Sequence, residues 1–347
     1  MDIAIIGAGG TIGRQIAIAL VQERVLPPTS RLQLIGHAGG DSARTLHGFA
    51  ADLADAYAEV LPEIDVAFSP DELLADIVIV AAGATVGTDP RRLQSRAELA
   101  RTNLPLMRSY AAALARHGHG EELVLVVTNP VELGVHVFAR THPRARVIGM
   151  GAYLDTLRFR REIAAELGVR RQGVQGLVLG EHGPGMVPCW STVSAYGFDS
   201  EEGRARLASL RRRGGPTPEQ SARAVVDTVL SDGPAAAYRL VAGYGADVRT
   251  MAKPYVTQLS GAKTPVGSAE MIARLVETIV DGHQALAAAQ VVLAGEFLGI
   301  RGITGAPVVL SHRGIERVEP LALWDDEATR VRAAADACAR SVQELGA

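Results

Sequence analysis

Lysine is almost absent from this chain of 347 residues: Lys253 and Lys263 are the only two, and arginine supplies the remaining basic side chains. The formal net charge is −3, and the longest run of arginines covers residues 211–213. This charge balance argues against nucleic acid as a partner. Cysteine is also scarce, because Cys189 and Cys338 stand alone without the spacing of a metal site or a disulfide scaffold. We therefore expect a reducing compartment and no metal.

Long hydrophobic runs are missing too. Apolar stretches stop well short of the roughly 20 residues that span a bilayer, and no basic or Arg/Ser-rich leader precedes the first apolar run at residues 2–6. We expect a cytoplasmic protein with no membrane partner. With 48% hydrophobic and 21% charged residues, the chain has the composition of a globular protein long enough for two domains.

Short apolar runs alternate with helical patterns over the first 150 residues. The runs lie at residues 2–6, 32–35, 65–68, 76–83, 123–130 and 146–150, and apolar residues recur at helical spacing over 11–21, 42–53, 98–116 and 130–139. Such alternation is typical of a parallel sheet covered by helices. We predict an α/β protein whose residues 1–150 form a doubly wound Rossmann domain for a dinucleotide.

The pattern changes after residue 150. Long helices are predicted at 153–168 and 268–280, a strand at 306–310 and a C-terminal helix from about 325 to 345. We predict that residues 151–347 form an α+β substrate domain with an unusual insertion at 199–262. Within that insertion only the sequence GGPTPEQ at residues 214–220 is informative. It indicates a loop followed by a helix that Pro218 begins, with Thr217 as its N-cap.

The first predicted strand runs directly into the sequence GAGGTIG at residues 7–13. Gly7, Gly10 and Gly13 have the spacing of a dinucleotide-binding turn, in which the backbone must turn sharply, approach a pyrophosphate and let a helix pack on the strand. Thr11 and Ile12 open that helix, whose free N–H groups receive negative charge. The motif predicts a nicotinamide or flavin nucleotide.

His182 is the candidate proton donor, in the sequence GLVLGEHGPGMVP at residues 176–188. The apolar run predicts a strand that stops at glycine and holds His182 at its tip, and Pro184 and Pro188 are expected to end regular structure. A short-chain reductase would need a tyrosine four residues before a lysine, but Arg249 and Leu259 occupy those places. Imidazole titrates near neutral pH and suits acid/base work, although a solvated turn is the alternative interpretation.

Asp155 and Arg158 lie one helical turn apart in the sequence YLDTLR. The carboxylate is placed to fix the tautomer of a histidine, and the guanidinium is placed to bind a substrate carboxylate through two parallel hydrogen bonds. A surface ion pair between the two side chains is the alternative.

Six stretches, taken in order, resemble the lactate and malate dehydrogenase family. They are GAGGTIG (7–13), RAELARTN (96–103), VTNPVE (127–132), LDTLRFR (154–160), GEHGPGMVPCWS (180–191) and GAPVVLSHRGIERV (305–318). The longer first helix and loop at residues 19–36 look most like the cytosolic and chloroplast type of malate dehydrogenase.

This resemblance implies hydride transfer between a nicotinamide cofactor, NAD(P), and a small 2-hydroxy acid/2-oxo acid pair, with malate/oxaloacetate or a related dicarboxylate expected. It implies that His182 is the acid/base, Asp155 its partner and Arg158 the carboxylate anchor. Arg96 would polarise the reacting carbonyl from a loop that begins near Ala84 and closes over the substrate. The resemblance further implies Asn129 as a substrate- and cofactor-positioning residue, Thr264 as a wall of the substrate site, Asn103 beside the cofactor, and a homodimer or homotetramer.

Two positions bear on cofactor and substrate choice. Gly36 stands where the family usually has the acidic residue that binds the adenosine ribose, and His37, Ser42 and Arg44 follow it. Without that carboxylate, a 2′-phosphate avoids a repulsion of about 4 kcal/mol. We therefore predict that NADP is slightly favoured over NAD. Asp41 is the residue that could replace the missing acid. By resemblance, Arg91 is expected to bind the second substrate carboxylate, with Arg92 as the other candidate.

Departures from the family pattern leave the substrate open. Pro184 follows EHG, the loop at 84–95 is longer than usual, and the segment between His182 and Thr264 is longer by about thirty residues. A lactate-type monocarboxylate enzyme therefore stays an alternative. A NAD-dependent glycosidase would need a metal site, for which Cys189 has no evident partner. A nucleotide-sensing regulator would have no reason to keep His182, Asp155 and Arg158 together.

Overall fold

Six parallel strands build the first half of a continuous sheet in the computed structural model, which describes residues 1–89, 91 and 94–346. They are β1 (Ile3–Ile6), β2 (Arg31–Ile35), β3 (Glu63–Ala67), β4 (Ile77–Val80), β5 (Leu123–Val126) and β6 (Val147–Gly149), in the spatial order β3-β2-β1-β4-β5-β6. The connecting helices are α1 (Thr11–Gln22), α2 (Asp41–Tyr57), α3 (Arg96–His117) and α4 (Val131–Ala139). The predicted Rossmann fold is confirmed.

The central strands are buried on both faces, which explains their uninterrupted apolar sequences. In β1, Ile3 and Ile5 pack into one cluster with α1, whereas Ala4 and Ile6 pack into another with α3 and α4. This alternation follows from the two-residue period of a strand. Because β2 and β4 flank β1, the strand order reverses beside its carboxyl end, where doubly wound folds bind ligands.

The remaining strands extend the same sheet in antiparallel fashion. They are β7 (Val174–Gly180), β8 (Met186–Ala195), β9 (Ala285–Ala294), β10 (Arg301–Ser311) and β11 (Gly314–Val318). Gly149 of β6 pairs with Gln290 of β9, β9 pairs with β10, and β10 meets β7 at Gly305 and Gly180. Both halves of the chain therefore share one sheet, and the domain boundary near Met150 stays a prediction.

Two expectations about the second half need correction. Pro188 does not end regular structure, because β8 runs through it and pairs it with Val178 of β7. β8 lies at the edge of the sheet, where one side of the strand pairs with no neighbour. A proline is tolerated there, because the N–H that it lacks would face away from β7. The segment 199–262 is almost entirely helical, whereas the sequence indicated one helix there.

Six helices belong to this half: α5 (Gly151–Leu167), α6 (Glu201–Arg212), α7 (Pro218–Ala242), α8 (Ala246–Leu259), α9 (Pro265–Val280) and α10 (Asp325–Glu344). The predicted cap at Thr217 is confirmed. Its hydroxyl accepts the main-chain N–H of Gln220 at 3.2 Å, and the Gln220 side chain accepts the N–H of Thr217 at 3.0 Å. α7 bends at Gly233 and Pro234. None of the helices in the described part of the chain combines the length and apolar content needed to span a bilayer.

Glu162 of α5 ties α8 to the body of the protein. Its carboxylate is almost fully buried and accepts hydrogen bonds from Arg249 Nε at 2.8 Å and Lys253 Nζ at 2.7 Å. Burial acts to raise the pKa of Glu162, but hydrogen bonds from Lys253, Arg249 and Arg161 outweigh it and the pKa is lowered. The ion pairs therefore hold α8 against the helix that carries Asp155 and Arg158.

Replacing Glu162 with glutamine should lower the free energy of unfolding at pH 7 by about 3 kcal/mol, because Arg161, Arg249 and Lys253 lose a buried counter-charge. Since the pKa of Glu162 is lowered, the stability that it contributes is complete above the ordinary carboxyl pKa and is lost as the pH falls through the lowered value. The difference between parent and variant, measured by urea unfolding, should shrink below about pH 4. Glu270→Gln, which removes an exposed ion pair with Arg274, is the control and should change stability by less than about 0.5 kcal/mol. Equal effects of both variants would contradict the prediction.

Candidate active site

His182 lies just beyond β7, two residues after Gly180 pairs with the central strand β10. Its imidazole packs on Gly151, the first residue of α5. A Cβ atom at Gly151 would lie 2.2 Å from His182 Cγ, so only glycine allows this approach. Gln290 fixes the same end of α5, because its Oε1 accepts the N–H of Ala152 at 3.0 Å. The sheet and α5 thus hold the histidine together.

Asp155 binds both of its predicted partners. Its Oδ2 lies 2.6 Å from His182 Nδ1, and its Oδ1 accepts a hydrogen bond from Arg158 Nη1 at 2.9 Å. The Asp155 side chain is completely buried. Burial acts to raise the pKa of this carboxyl, but the charges and hydrogen bonds of His182 and Arg158 outweigh it and the pKa is lowered. An ionised carboxylate only accepts hydrogen bonds, so His182 Nδ1 carries the proton and Nε2 is left for other chemistry.

One cavity brings together four of the residues predicted for catalysis and substrate binding. Asn129, Arg158, His182 and Thr264 all line it, between the carboxyl ends of the parallel strands and the start of α9. Asn129 Oδ1 is buried and has no hydrogen-bond partner among the described residues. An acceptor left unpaired in this position is available to a bound molecule. The cavity therefore offers a guanidinium, an imidazole, an amide and a hydroxyl to one small ligand.

Arg96 has a different environment from the one expected. It is the first residue of α3, which begins two residues earlier than predicted, so it is helical and not part of the loop. Its guanidinium bonds Glu132 Oε2 at 3.0 Å, Glu181 Oε1 at 3.2 Å and the main-chain carbonyl of His182. Burial acts to lower the pKa of Arg96, but Glu132 and Glu181 outweigh it and raise the pKa. Arg96 remains charged beside the histidine.

Glu132 and Glu181 are site residues that the sequence did not single out. Glu132 is buried, and its Oε1 also accepts the main-chain N–H of His182 at 2.6 Å. Both glutamates belong to motifs already recognised, since Glu132 follows Asn129 by three residues and Glu181 precedes His182. Their proximity to those residues was the available signal, but sequence spacing does not show that the two carboxylates meet one arginine.

The glycine turn fits a dinucleotide. Gly7 follows β1, and a Cβ atom at Gly13 would lie 2.2 Å from the carbonyl oxygen of Gly7, so the helix needs glycine to pack this closely. Gly10 is the N-cap of α1 and supplies no side chain to its first turn, which leaves the N–H groups there available to a phosphate. Thr11 begins the helix and is exposed, and Ile12 lines the cavity that contains His182.

The turn after β2 is the place where the sequence predicts that the adenosine ribose binds. A Cβ atom at Gly36 would lie 3.0 Å from the Leu46 side chain, so this position is crowded. The main chain of His37 donates to Ser42 Oγ at 2.8 Å, and His37 Nδ1 accepts the N–H of Gly39 at 2.9 Å. Arg44 pairs with Asp41 at 3.6 Å, with both side chains largely exposed. Cationic and polar groups are therefore present where the acidic residue is missing.

Two further expectations have distinct outcomes. Asn103 Oδ1 accepts the main-chain N–H of Ala84 at 2.7 Å. Asn103 Nδ2 donates to the main-chain carbonyls of Ala84 at 3.0 Å and Asn129 at 2.7 Å. It thus joins the start of the loop to the strand tip, and its contact with a cofactor stays a prediction. Arg91 is exposed and lines neither the cavity described above nor a second cavity beside it. Its main-chain N–H bonds the side chain of Asp89. Arg92 lies outside the described residues.

Comparisons with known proteins agree with this arrangement. Residues 1–149 match the domain described as lactate/malate dehydrogenase, NAD binding domain. A malate dehydrogenase of Sorangium cellulosum is 30% identical over 263 residues, which cover 73% of this chain and 69% of the relative. The chain belongs to the lactate/malate dehydrogenase family. It is an oxidoreductase of that family with an NAD-binding domain.

Other family members match nearly the whole chain. An L-2-hydroxycarboxylate dehydrogenase (NAD(P)(+)) of Methanocaldococcus jannaschii is 28% identical over 354 residues, covering 99% of both chains. The crystal structure of Cryptosporidium parvum malate dehydrogenase has a TM-score of 0.75 at 23% identity, covering 99% of this chain and 98% of the other. At that identity the structural match supports the fold alone.

Arg96 and Glu132 should be energetically coupled in this family member. A double-mutant cycle with Arg96→Gln, Glu132→Gln and the pair should give a coupling of about 1 kcal/mol or more in urea unfolding, because the carboxylate is buried. The exposed pair Arg116 and Asp71 is the control and should couple by less than about 0.5 kcal/mol. Additive effects of the two changes at 96 and 132 would contradict the proposed contact.

Proposed function

We propose that this protein is an NAD(P)-dependent dehydrogenase that interconverts 2-hydroxy acids and 2-oxo acids. One observation carries the proposal: the buried Asp155 carboxylate holds both His182 and Arg158 at the wall of a single cavity. A solvated histidine or a surface ion pair would not require a fully buried carboxylate, because burying a charge is costly unless its partners compensate.

Each side chain of the trio has a separate task in this reaction. Arg158 uses one nitrogen for Asp155 and is placed to bind the substrate carboxylate with the others. His182 Nε2 gives a proton to the C2 oxygen during reduction and removes it during oxidation. Asp155 keeps the proton on Nδ1 and stabilises the imidazolium form. The nicotinamide, when bound, supplies or accepts the hydride at C2.

Arg96 is proposed to stabilise negative charge that develops on the C2 oxygen. This role is supported by its raised pKa and by its position on the wall of a cavity that also contains His182 and Arg158. Glu132 and Glu181 bind its guanidinium, so reaching the substrate requires Arg96 to exchange one of these partners. The start of the preceding loop is held, because Gln258 Nε2 donates to the carbonyl of Val86 at 2.7 Å and Lys263 Nζ to Thr85 at 3.1 Å.

Residues 7–13 are proposed to hold the cofactor pyrophosphate, with Asn129 and Thr264 beside the nicotinamide and the substrate. We propose that NADP is accepted and slightly favoured over NAD. This proposal is supported by the glycine at position 36, by the nearby Arg44, and by the name of the Methanocaldococcus jannaschii relative, which includes both cofactors.

Malate/oxaloacetate remains the substrate pair expected from the sequence, and the resemblance of residues 19–36 to the cytosolic and chloroplast type of malate dehydrogenase remains a prediction. Relatives named malate dehydrogenase and L-lactate dehydrogenase match this chain about equally well, at 29% identity in both cases for those of Methanothermobacter marburgensis and Kosmotoga olearia. Binding of a second carboxylate by Arg91 would require that arginine to move into the cavity. A homodimer or homotetramer is likewise a proposal.

His182→Ala and Arg158→Lys should both impair reduction of 2-oxo acids, through different steps. The histidine variant should lose about 10² to 10⁴ in kcat, because proton transfer is lost. The lysine variant should lose roughly tenfold to a hundredfold in kcat/KM, mainly through KM, because a point charge cannot replace the planar pair of donors. Steady-state oxidation of reduced cofactor measures both, with His312→Ala as a control outside the cavities. Retained turnover in His182→Ala would refute the acid/base assignment.

The cofactor proposal is tested by comparing kcat/KM for NADPH and NADH. Arg44→Gln should lower the NADPH/NADH ratio about fivefold, as expected for one exposed charge contact. Arg223→Gln is matched to it, since Arg223 is equally exposed and lies in a similar ion pair on α7, and its ratio should stay within twofold of the parent. A tenfold preference of the parent protein for NADH would rule out the NADP proposal.

A further inference from the structure

A second cavity opens from the catalytic groups toward α7 and α8. It shares Asn129, Arg158, His182 and Thr264 with the first cavity. Residues of the cofactor cleft, such as Ile12 and Gly83, line only the first. The lining residues of α7 and α8 line only the second, except Gln258, which lines both. The second cavity, called here the side chamber, therefore extends from the reacting centre on the side away from the cofactor turn.

The far wall of the side chamber is apolar. Met186 of β8, Ala222 of α7 and Met251, Pro254 and Tyr255 of α8 line it. Tyr255 is 39% exposed, so an apolar group in the chamber would cover surface that is otherwise in contact with water. Burying such surface is favourable in proportion to the area removed from water.

The side chamber as a whole offers little to a second carboxylate. Apart from the histidine, the only basic side chains among the described residues that line it are Arg96 and Arg158. Arg158 is assigned to the first carboxylate, and Arg96 is already bound by Glu132 and Glu181. Charge of the wrong sign is present as well, because Glu219 in the first turn of α7 lines the chamber. A second carboxylate that entered the side chamber would therefore meet no unpaired cation among the described residues that line it.

Ser221 adds one neutral polar atom to the wall. The residue is 2% exposed, and its buried hydroxyl has no hydrogen-bond partner among the described residues. A lone hydroxyl can accept or donate one hydrogen bond to a neutral group, but it cannot balance a full charge.

We propose that the side chamber selects 2-oxo acids with a bulky uncharged side chain, branched or aromatic, over both pyruvate and oxaloacetate. The inference rests on the proposed 2-oxo acid reduction and names the substrate class of that same site. C1 binds Arg158, the C2 oxygen meets His182, and the apolar side chain extends from C3 against α7 and α8.

The test compares kcat/KM for pyruvate, 2-oxobutanoate, 4-methyl-2-oxopentanoate, phenylpyruvate and oxaloacetate with saturating NADPH or NADH. Each buried methylene contributes about fourfold, so the branched and aromatic acids should exceed pyruvate by at least about tenfold. Oxaloacetate should fall below them. A tenfold preference for oxaloacetate, lost in Arg91→Gln, would overturn the inference and support the dicarboxylate expectation. A preference for pyruvate over every larger acid would also overturn it.

The second test uses a variant in which a larger side chain fills the side chamber. Ala222→Phe should lower the ratio of kcat/KM for 4-methyl-2-oxopentanoate to that for pyruvate at least tenfold, because the ring occupies the space for the side chain. Ala224→Phe is the matched control, since Ala224 is also half-buried on α7 but does not line the chamber. Circular dichroism and thermal unfolding establish that both variants fold. An unchanged ratio in a folded Ala222→Phe would overturn the inference.

The failures of the two proposals are distinguishable. Turnover of pyruvate or oxaloacetate without turnover of the bulky acids would overturn the chamber inference and leave the proposed reaction standing. Absence of turnover with all five acids and both cofactors, in folded protein, would overturn the proposed reaction and the inference with it.

Discussion

The catalytic arrangement depends on one buried carboxylate. Asp155 has no contact with solvent, and its two oxygens are divided between His182 and Arg158. A charge in this position is tolerated only because both partners are present, and the same pairing sets the tautomer of the imidazole and the direction of the guanidinium. The backbone supports the pairing, since Gly151 admits the histidine ring and Gln290 fixes the start of α5. The proposed proton transfer and substrate anchoring would thus depend on the same local electrostatics.

A second group of charges surrounds the first. Glu132 bonds both the guanidinium of Arg96 and the main-chain N–H of His182, so a buried side chain connects the strand tip with the first turn of α3. Glu181 completes the neutralisation of Arg96. Two arginines near the histidine therefore do not produce an excess of positive charge in the cavity. Arg158 and Lys263 both line the first cavity, and Lys263 Nζ bonds the neutral hydroxyl of Thr85, so a carboxylate that binds there meets positive charge.

The parts of the structure that follow simple periodicity were predictable from the sequence. Strands such as β1, β4 and β5 are buried on both faces and consist only of apolar residues, which is the strongest signal that a parallel sheet can give. Asp155 and Arg158 were recognisable because they lie one turn apart in one helix. β8 was missed because Pro188 is tolerated only at the sheet edge, and β9 because its alanine-rich sequence favours a helix. The ion pairs of Glu132 and Glu181 join residues far apart in sequence, where spacing carries no information.

The helices of the segment 199–262 form the part of the side chamber that is proposed to select the substrate. α8 is attached through Arg249 and Lys253 to Glu162 of α5, the helix that also carries Asp155 and Arg158. α7 packs on α8 and begins at a well-capped turn beside the side chamber. The part of the chamber wall that α7 and α8 form is therefore positioned relative to the catalytic groups by a buried ion pair. Changes in that lining alter the shape and polarity met by the substrate side chain without disturbing the hydrogen bonds that hold the histidine. In the proposed reaction, specificity and chemistry would thus be carried by different residues attached to the same helix.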